Sequence, residues 1–539
     1  MKITQYLPSL QSEIIGEYDD DHALAYFRGI PYATVTKRWT HSQPQHSLQN
    51  PFNATAFGPR CVQEEGEVLV SGGTNDPTPG DDEFSCLNLN ICVPRESLQQ
   101  FENGHTRERI PVMFWIHGGG FKYGANSVAR YRPHRLCSMA RKSGHPIILV
   151  QVGYRLGALG FAASEDLLAE MKEESGPEVA GSNGKKSIAD SIVGNFGFVD
   201  QRNALKWVQE HIQDFGGDPE SVTAFGISAG SASVHDHILT GEPMFDRAIC
   251  MSGAAPTLGP LPFAQYQQAW DHLCSKVGVS GEPTKVRLDR LRALPPHEIL
   301  RSYSTAAMGP MADGVLLPKS WTFQQPNQTR CLSLIVGDTN VEGIIFDGVA
   351  RRWKPSQLAK KVRELLSETQ ASDFFRLFAF TGDDEQPWET YRNSMRRFMS
   401  VIMFHFPNTR IAETFQSSGG GDAFLYHFEE PSPFPGPTYG VSYHGQCAMY
   451  MYGVENDSLP IESQRIAETM AEIWTSFAYG EVPWESYTVA ERFMRFGPKG
   501  TIELRDAGSD ETRQYGYVAW LSENFEDAMR LAREILQVE

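Results

Sequence analysis

Short apolar segments separated by helical patterns are the feature that most constrains the fold of this chain. Segments 110–116 (IPVMFWI) and 146–152 (PIILVQV) are apolar at nearly every position, and both end in loops rich in Gly or polar residues. Such segments are typical of strands that are buried on both faces of a parallel sheet. A helical pattern at 199–216 leads into a further short strand at 221–227. This alternation predicts an α/β protein with a mostly parallel central sheet flanked by helices.

The remaining pattern predicts a single domain over residues 1–539. An acidic, Gly-rich stretch at 63–85 is typical of a surface loop. Further buried strands are predicted at 332–338 and 423–430, and the region between them is strongly helical. We interpret 350–420 as a helical insertion that covers one edge of the sheet and the cleft there.

Charge and composition exclude several classes of protein. The formal net charge is −18, and a surface that binds nucleic acid must instead neutralise phosphates with basic residues. A hydrophobic fraction of 41% with 21% charged residues is typical of a folded chain with a large core. No apolar run approaches the ~20 residues of a membrane helix. No Cys or His cluster has the spacing of a zinc site.

The pentapeptide Gly226-Ile227-Ser228-Ala229-Gly230 follows the predicted strand 221–227. It matches the G-x-S-x-G pattern, in which a serine stands on a tight turn between a strand and a helix with its hydroxyl at the top of a sheet. Upstream, the segment WIHGGGF (115–121) follows another strand. A glycine run there lets backbone N–H groups point at a developing oxyanion. Together, in this order, the two motifs predict a nucleophilic serine.

The partners of such a serine follow in the order acid, then histidine. His405 lies in an apolar helical pattern and His427 within an alternating strand, so both are expected to be packed side chains. His444 lies in a loop next to Gly445, where it is suited to enter a cleft. Spacing alone leaves Asp338 and Glu342, in the loop 337–343, as equal candidates for the acid.

On these motifs the chain resembles the type-B carboxylesterase/lipase family, the cholinesterase-like branch of the α/β hydrolases. The similarity extends through most of the sequence. The matching blocks are FRGIPYA (27–33), GPRCVQ (58–63), CLNLNICVP (86–94), WIHGGGF (115–121), YRLGALGF (154–161), GNFGFVDQRNALKWV (194–208), FGGDPESVTAFGISAGSASV (215–234), VEG (341–343) and IWTSFAYGEVP (473–483). The resemblance implies an α/β-hydrolase fold and a serine esterase without metal or organic cofactor.

The resemblance also assigns roles to individual residues. It implies Ser228 as nucleophile, Glu342 as acid and His444 as base, and so resolves the choice that spacing left open. Ser252 matches a family position that supports this triad. The donors to the oxyanion are then backbone N–H groups, those of Gly119, Gly120 and Ala229.

Cys61 and Cys86 match a family disulfide that closes the acidic loop, a bridge that forms in an oxidising compartment and stays open in a reducing cytosol. The chain departs from the family at Ile227, where cholinesterases often have an acid, and at Cys447, where an acid is also frequent. The loop between the two cysteines has no Trp, so we expect no recognition of a quaternary ammonium substrate there.

We therefore expect hydrolysis of a small-molecule ester with an apolar acyl or alcohol group. Three alternatives stay open: another acyl transfer on the same triad, including lactone opening or closure and amide hydrolysis; a non-catalytic binding module; and a secreted lipase. The N-terminus has no continuous apolar segment of a signal peptide, so a cytoplasmic location is expected. The sequence does not define the oligomeric state.

Overall fold

In the computed structural model, a large twisted sheet carries helices on both faces. The structure describes residues 1–64, 80–98, 109–175, 192–319, 322–323, 331–509 and 516–536. Most of the acidic stretch 63–85 lies outside these residues. The strands are β1 (Lys2–Leu7), β2 (Ser12–Asp19), β3 (Leu24–Pro31), β4 (Ala33–Thr34), β5 (Gln43–Pro44), β6 (Phe52–Asn53), β7 (Asn88–Pro94), β8 (Ile110–Ile116), β9 (Ile148–Val152), β10 (Gly217–Ile227), β11 (Arg247–Met251), β12 (Ser333–Thr339), β13 (Asp422–Phe428), β14 (Arg492–Phe496) and β15 (Ile502–Asp506).

Helices connect most of the strands from β7 onwards. The α-helices are α1 (Arg95–Leu98), α2 (His134–Lys142), α3 (Gly157–Phe161), α4 (Glu165–Ser175), α5 (Phe196–His211), α6 (Ala229–Leu239), α7 (Ala255–Leu258), α8 (Phe263–Lys276), α9 (Thr284–Ala293), α10 (Pro296–Ser302), α11 (Asp347–Ala350), α12 (Pro355–Leu365), α13 (Glu368–Phe378), α14 (Trp388–Ser400), α15 (Phe406–Thr414), α16 (Gln446–Tyr452), α17 (Ile461–Ala478), α18 (Tyr487–Ala490) and α19 (Gly516–Leu536). Short 3-10 helices lie at Ala129–Tyr131, Ile212–Phe215, Glu342–Phe346, Asn456–Ser458 and Ala507–Ser509, and a π-helix at Val401–His405.

The main sheet has the strand order β1-β2-β3-β7-β9-β8-β10-β11-β12-β13-β14-β15, with β6 beside β2. All neighbours from β9 to β14 pair in parallel, whereas the strands at both ends pair antiparallel. The predicted mostly parallel α/β sheet is confirmed. In such a sheet the carboxyl ends of the parallel strands meet at one edge, and residues just beyond that edge form the site described below.

Side chains of the central strands alternate between two cores, one on each face. In β8, Val112 and Phe114 belong to one core, while Met113 and Trp115 belong to the other. All four are fully buried. This double burial explains the uninterrupted apolar segments, because neither face of a central strand meets water.

Helices α12, α13 and α14 form a third core together with α19 at the end of the chain. Phe374 and Phe378 pack edge-to-face against Phe398, with centroid separations of 4.9 and 5.1 Å. Trp520 of α19 packs on Phe378 with a centroid separation of 6.1 Å. The predicted helical region is thus a set of separate helices, which share an aromatic core of their own.

Cys61 and Cys86, which match a family disulfide, are not bridged in this structure. Both are buried, and their thiols are hydrogen-bonded neighbours. That contact, together with burial, raises the pKa of Cys86 well above its usual value. The Cys61 sulfur also accepts the N–H of Leu156 at 3.2 Å, so the unbridged form of the pair has its own hydrogen bonds.

Candidate active site

Ser228 stands in the turn between β10 and α6, with φ 56° and ψ −120°. Its N–H donates to the carbonyl oxygen of Met251 in the neighbouring strand at 2.9 Å. A residue with a side chain rarely adopts this backbone conformation, and surrounding structure must hold it there. The turn places the serine side chain, half-buried, at the carboxyl edge of the sheet.

The two glycines of the pentapeptide have a steric role. A Cβ added at Gly230 would lie 2.0 Å from the carbonyl oxygen of Ile116, and one at Gly226 would lie 2.5 Å from the carbonyl carbon of Gly230. Neither position has room for a side chain. The first turn of α6 therefore packs directly on the end of β8, which fixes the serine turn.

His444 lies in the loop between β13 and α16, and Glu342 opens the 3-10 helix after β12. The Nδ1 atom of His444 is hydrogen-bonded to Oε2 of Glu342. The fully buried carboxylate also accepts the N–H of Thr339, through Oε1, at 2.6 Å. A Cβ added at Gly445 would lie 3.7 Å from the side chain of Ile227, so the histidine loop lies against the residue that precedes Ser228.

Asp338, the other candidate acid, has different partners. Its Oδ1 pairs with Nδ1 of His427 at 3.0 Å, and its Oδ2 accepts the amide of Asn408 at 3.0 Å. Asp338 and His427 are direct neighbours in the register of β12 and β13, and both are buried. His405 contacts the carbonyl oxygen of Thr339 through Nε2. The carboxylate that contacts His444 is therefore that of Glu342, and sequence reasoning missed the Asp338–His427 pair because it needs the strand register.

The loop after β8 carries three consecutive glycines, and the first of them lies beside the serine. A Cβ added at Gly118 would lie 3.1 Å from that of Ser228. Gly119 and Gly120 have φ of 118° and 60°, values that favour glycine. Ala229 is the first residue of α6, where an N–H group has no partner within the helix. Ala229 directly follows Ser228 in the chain, and a role of the Gly119, Gly120 and Ala229 N–H groups as oxyanion donors stays a prediction.

Ser252 directly follows β11 and is fully buried. Its N–H donates to the carbonyl oxygen of Gly337 at 2.8 Å, and its Oγ lies 3.7 Å from the sulfur of Cys447. Tyr426 donates its hydroxyl to the same sulfur at 3.5 Å, a contact that the sequence did not indicate. Burial raises the pKa of Cys447 to about 12, so this thiol stays neutral near Glu342.

Among the described residues, no cluster of His, Cys, Asp or Glu is arranged to hold a metal ion. Likewise, no helix in this part of the chain has the length and apolar character needed to cross a membrane.

Several lipases and ester hydrolases are similar to this chain in sequence. The bile salt-activated lipase of Homo sapiens is 26% identical over 506 residues, an alignment that covers 86% of this chain and 62% of that lipase. Lipase 5 of Diutina rugosa is 30% identical over 59% of this chain and 59% of its own length. A carboxylic ester hydrolase of Bombus ignitus is 33% identical over 53% of this chain and 46% of its own. The chain thus spans less than two thirds of the length of these three relatives.

Solved structures of PNB esterases have the same fold. One superposes with a TM-score of 0.72 at 22% identity, covering 95% of this chain and 98% of the esterase. A thermophilic PNB esterase gives the same TM-score at 23% identity, covering 95% of this chain and 99% of that esterase. These matches confirm the predicted α/β-hydrolase fold.

The model of the carboxylesterase family matches residues 11–174 and 184–514. This match covers most of the chain and confirms both the predicted family and the predicted enzyme class, the carboxylic ester hydrolases. The chain belongs to the carboxylesterase family.

Proposed function

We propose that this protein hydrolyses carboxylic esters through an acyl-enzyme on Ser228, with His444 as general base and Glu342 as the acid that orients it. The hydrogen bond between the buried carboxylate of Glu342 and Nδ1 of His444 is the observation that carries the proposal. A histidine held in this way has Nε2 free to accept a proton. Its loop lies against Ile227, beside the serine turn.

The acylation step follows from these groups. His444 takes the proton of the Ser228 hydroxyl at Nε2 while the serine oxygen attacks the ester carbonyl carbon. The electron pair of the carbonyl bond moves to its oxygen and forms a tetrahedral oxyanion. When that intermediate collapses, the bond to the alcohol oxygen breaks, and His444 returns the proton to the leaving alcohol. Glu342 stabilises the imidazolium between the two transfers.

The oxyanion is stabilised by backbone N–H groups of Gly119, Gly120 and Ala229. Each such donor contributes on the order of 3 kcal/mol to the transition state. The partial positive charge at the N-terminus of α6 adds to the effect, because Ala229 begins that helix. Water, activated by His444, then attacks the acyl-enzyme and releases the carboxylic acid.

We further propose that the helical segment 350–420 covers the cleft and favours an apolar acyl or alcohol group. Its contacts with the site support this role. Ser400 accepts the N–H of Gly343 at 2.7 Å, next to Glu342. The ring of Phe404 lies 5.1 Å from that of His444, centroid to centroid. An apolar wall beside the base excludes water and accommodates an apolar substrate group.

The test is hydrolysis of p-nitrophenyl esters of increasing acyl length by the wild type and by Ser228→Ala. Ser275→Ala, a change at an exposed position of α8, is the matched control. We expect turnover in the wild type and the control, with a burst of p-nitrophenol before the steady state, and none of this in Ser228→Ala. Equal activity in Ser228→Ala would refute the mechanism. A burst without turnover would instead favour acyl transfer to an acceptor other than water.

A further inference from the structure

The π-helix at Val401–His405 joins α14 to α15. Its hydrogen bond runs from the N–H of Phe406 to the carbonyl oxygen of Val401, five residues earlier. The next residue is Pro407, which has no N–H to donate and whose ring disfavours the carbonyl group four residues before it, that of Met403. The sequence thus accounts for a wider turn at this point, and turns of this kind are frequent at functional sites.

The carbonyl group of Met403 has a partner outside the helix. It accepts the hydroxyl of Thr257, in α7, at 2.7 Å. The Oγ1 atom of Thr257 also accepts the N–H of Ala254 at 3.1 Å. The preceding residue is Gly253, where an added Cβ would lie 2.7 Å from the carbonyl oxygen of Ser228. The π-helix is therefore anchored to the segment that packs on the serine turn.

Two adjacent side chains of the π-helix contact the acid and the base of the proposed triad. The ring of Phe404 lies 5.1 Å from that of His444, centroid to centroid, with the ring planes inclined by 58°. The Nε2 atom of His405 lies 2.9 Å from the carbonyl oxygen of Thr339. The N–H of Thr339 in turn donates to Oε1 of Glu342 at 2.6 Å. Phe404 thus borders the base directly, whereas His405 is linked to the acid through one intervening residue.

The hydrogen bond of His405 has a defined direction. A carbonyl oxygen can only accept, so Nε2 of His405 carries a proton and donates it to Thr339. Thr339 and Glu342 are both fully buried, and water therefore cannot replace this donor when it is lost. Thr339 ends β12, and Glu342 follows three residues later. A displacement of this strand end moves the N–H group that the carboxylate accepts.

We propose that His405 is a positioning residue for the triad, which sets the orientation of the Glu342 carboxylate through Thr339 and thereby that of His444. The inference rests on the proposed function, because it concerns the same triad. His405 transfers no proton in the reaction and acts through Glu342. Phe404 borders the imidazole from the same π-helix, so one element, anchored at Met403, holds both groups.

The test compares two amides at position 405, with p-nitrophenyl butyrate as substrate. In His405→Gln an NH2 group reaches about as far as Nε2 of histidine, whereas the shorter side chain of His405→Asn does not reach Thr339. We expect His405→Gln to retain most of kcat and His405→Asn to lower it about tenfold, the size of one lost hydrogen bond, with little change in KM. Phe398→Leu, a change in the aromatic core of α12–α14, is the control, with lower stability but an unchanged kcat per folded molecule.

A double-mutant cycle with Glu342→Gln identifies the group through which His405 acts. Acylation is followed in single turnovers with enzyme in excess, because Glu342→Gln is slow. We expect His405→Asn to change the rate by less than about twofold once Glu342 is replaced. A merely structural effect lowers the rate by the same factor in both backgrounds. His405→Leu is measured in parallel, so that the result does not depend on one variant folding.

Three results would overturn the proposal. The first is a loss of kcat in His405→Gln as large as that in His405→Asn. The second is an equal loss in the wild-type and Glu342→Gln backgrounds, and the third is a wild-type kcat in both His405→Asn and His405→Leu. Failure of the proposed function is a different result, namely butyrate hydrolysis by Ser228→Ala at the wild-type rate.

Discussion

Replacing Glu342 by Gln tests the assignment of the acid, because the structure requires two acceptors at this position. One oxygen of the carboxylate accepts the N–H of Thr339, and the other is bonded to Nδ1 of His444. A carboxamide has a single acceptor oxygen. In Glu342→Gln an NH2 group must therefore face one of these two N–H donors. The histidine then adopts the wrong tautomer or is no longer held in its orientation.

The expected effect is large because the group is fully buried and water cannot replace the lost acceptor. Removal of the charge from the acid of a Ser-His-acid triad lowers kcat about 10⁴-fold, which corresponds to about 5 kcal/mol of transition-state stabilisation. We expect a loss of this order in kcat for p-nitrophenyl butyrate, with a much smaller change in KM. Rates are normalised to the folded fraction, measured by circular dichroism.

Asp338→Asn is the matched control for Glu342→Gln. Asp338 is bonded to His427 and Asn408, so its replacement acts on the packing of β12 and β13. We expect lower stability but a kcat per folded molecule within about tenfold of the wild type. The reasoning is refuted if Asp338→Asn loses as much kcat as Glu342→Gln, or if Glu342→Gln keeps a tenth of the wild-type rate.

Three further changes test the fold around the site. Asp236 is buried in α6 with neither carboxylate oxygen hydrogen-bonded among the described residues, and burial raises its pKa well above the usual value. Above pH ~4 the carboxyl group ionises readily in the unfolded chain but not in the folded one, so rising pH lowers the free energy of unfolding. Asp236→Asn should therefore stabilise the protein more in urea unfolding at pH 8 than at pH 5. An equal gain at both pH values would contradict this. Gly230→Ala should prevent soluble folding or lower the free energy of unfolding by more than about 3 kcal/mol. Gly348→Ala, where an added Cβ meets nothing within 4 Å, should be tolerated. Equal unfolding midpoints for the two variants would show that the serine turn has room for a side chain. Asp200→Asn leaves the buried Arg155 without its carboxylate and should lower the free energy of unfolding by about 3–5 kcal/mol, and a loss below 1 kcal/mol would be inconsistent with that ion pair.

Much of the fold was predictable because the central strands are buried on both faces. Segments 110–116 and 146–152 were predicted as strands, and they correspond to β8 and β9. The predicted helix 199–216 is instead α5 up to residue 211, followed by a 3-10 turn. Boundaries of this kind depend on packing at the helix end, which local periodicity does not describe.

Two elements near the end of the chain, β14 and α19, were not predicted from the sequence. Strand β14 (RFMRF) carries charged residues between its apolar ones, and its position depends on pairing with β13, more than sixty residues earlier in the chain. Helix α19 was also missed, because its apolar face packs on the distant helical core of α12–α14. Both elements are determined by long-range contacts, for which a single sequence has no local signal.

At the site, the order of the motifs predicted the nucleophilic serine, whereas the spacing of residues did not distinguish between the two candidate acids. The pattern around Ser228 depends on two close backbone approaches, and only glycine satisfies them, so it is visible in the sequence. The choice between Asp338 and Glu342 depends on which histidine each acid meets. That is determined by the register of β12 and β13, which places Asp338 opposite His427. The thiol environment of Cys447 likewise appears only in three dimensions.

The central claim is that Ser228 forms the covalent intermediate. The most direct measurement is labelling of the wild type and of Ser228→Ala with a fluorophosphonate, followed by peptide mass spectrometry and an ester assay on the same samples. We predict one adduct per chain on the peptide that contains Ser228, a loss of activity in proportion to labelling, and neither adduct nor activity in Ser228→Ala. An adduct on another residue that abolishes activity, or full activity of the wild type after Ser228 is labelled, would contradict the account.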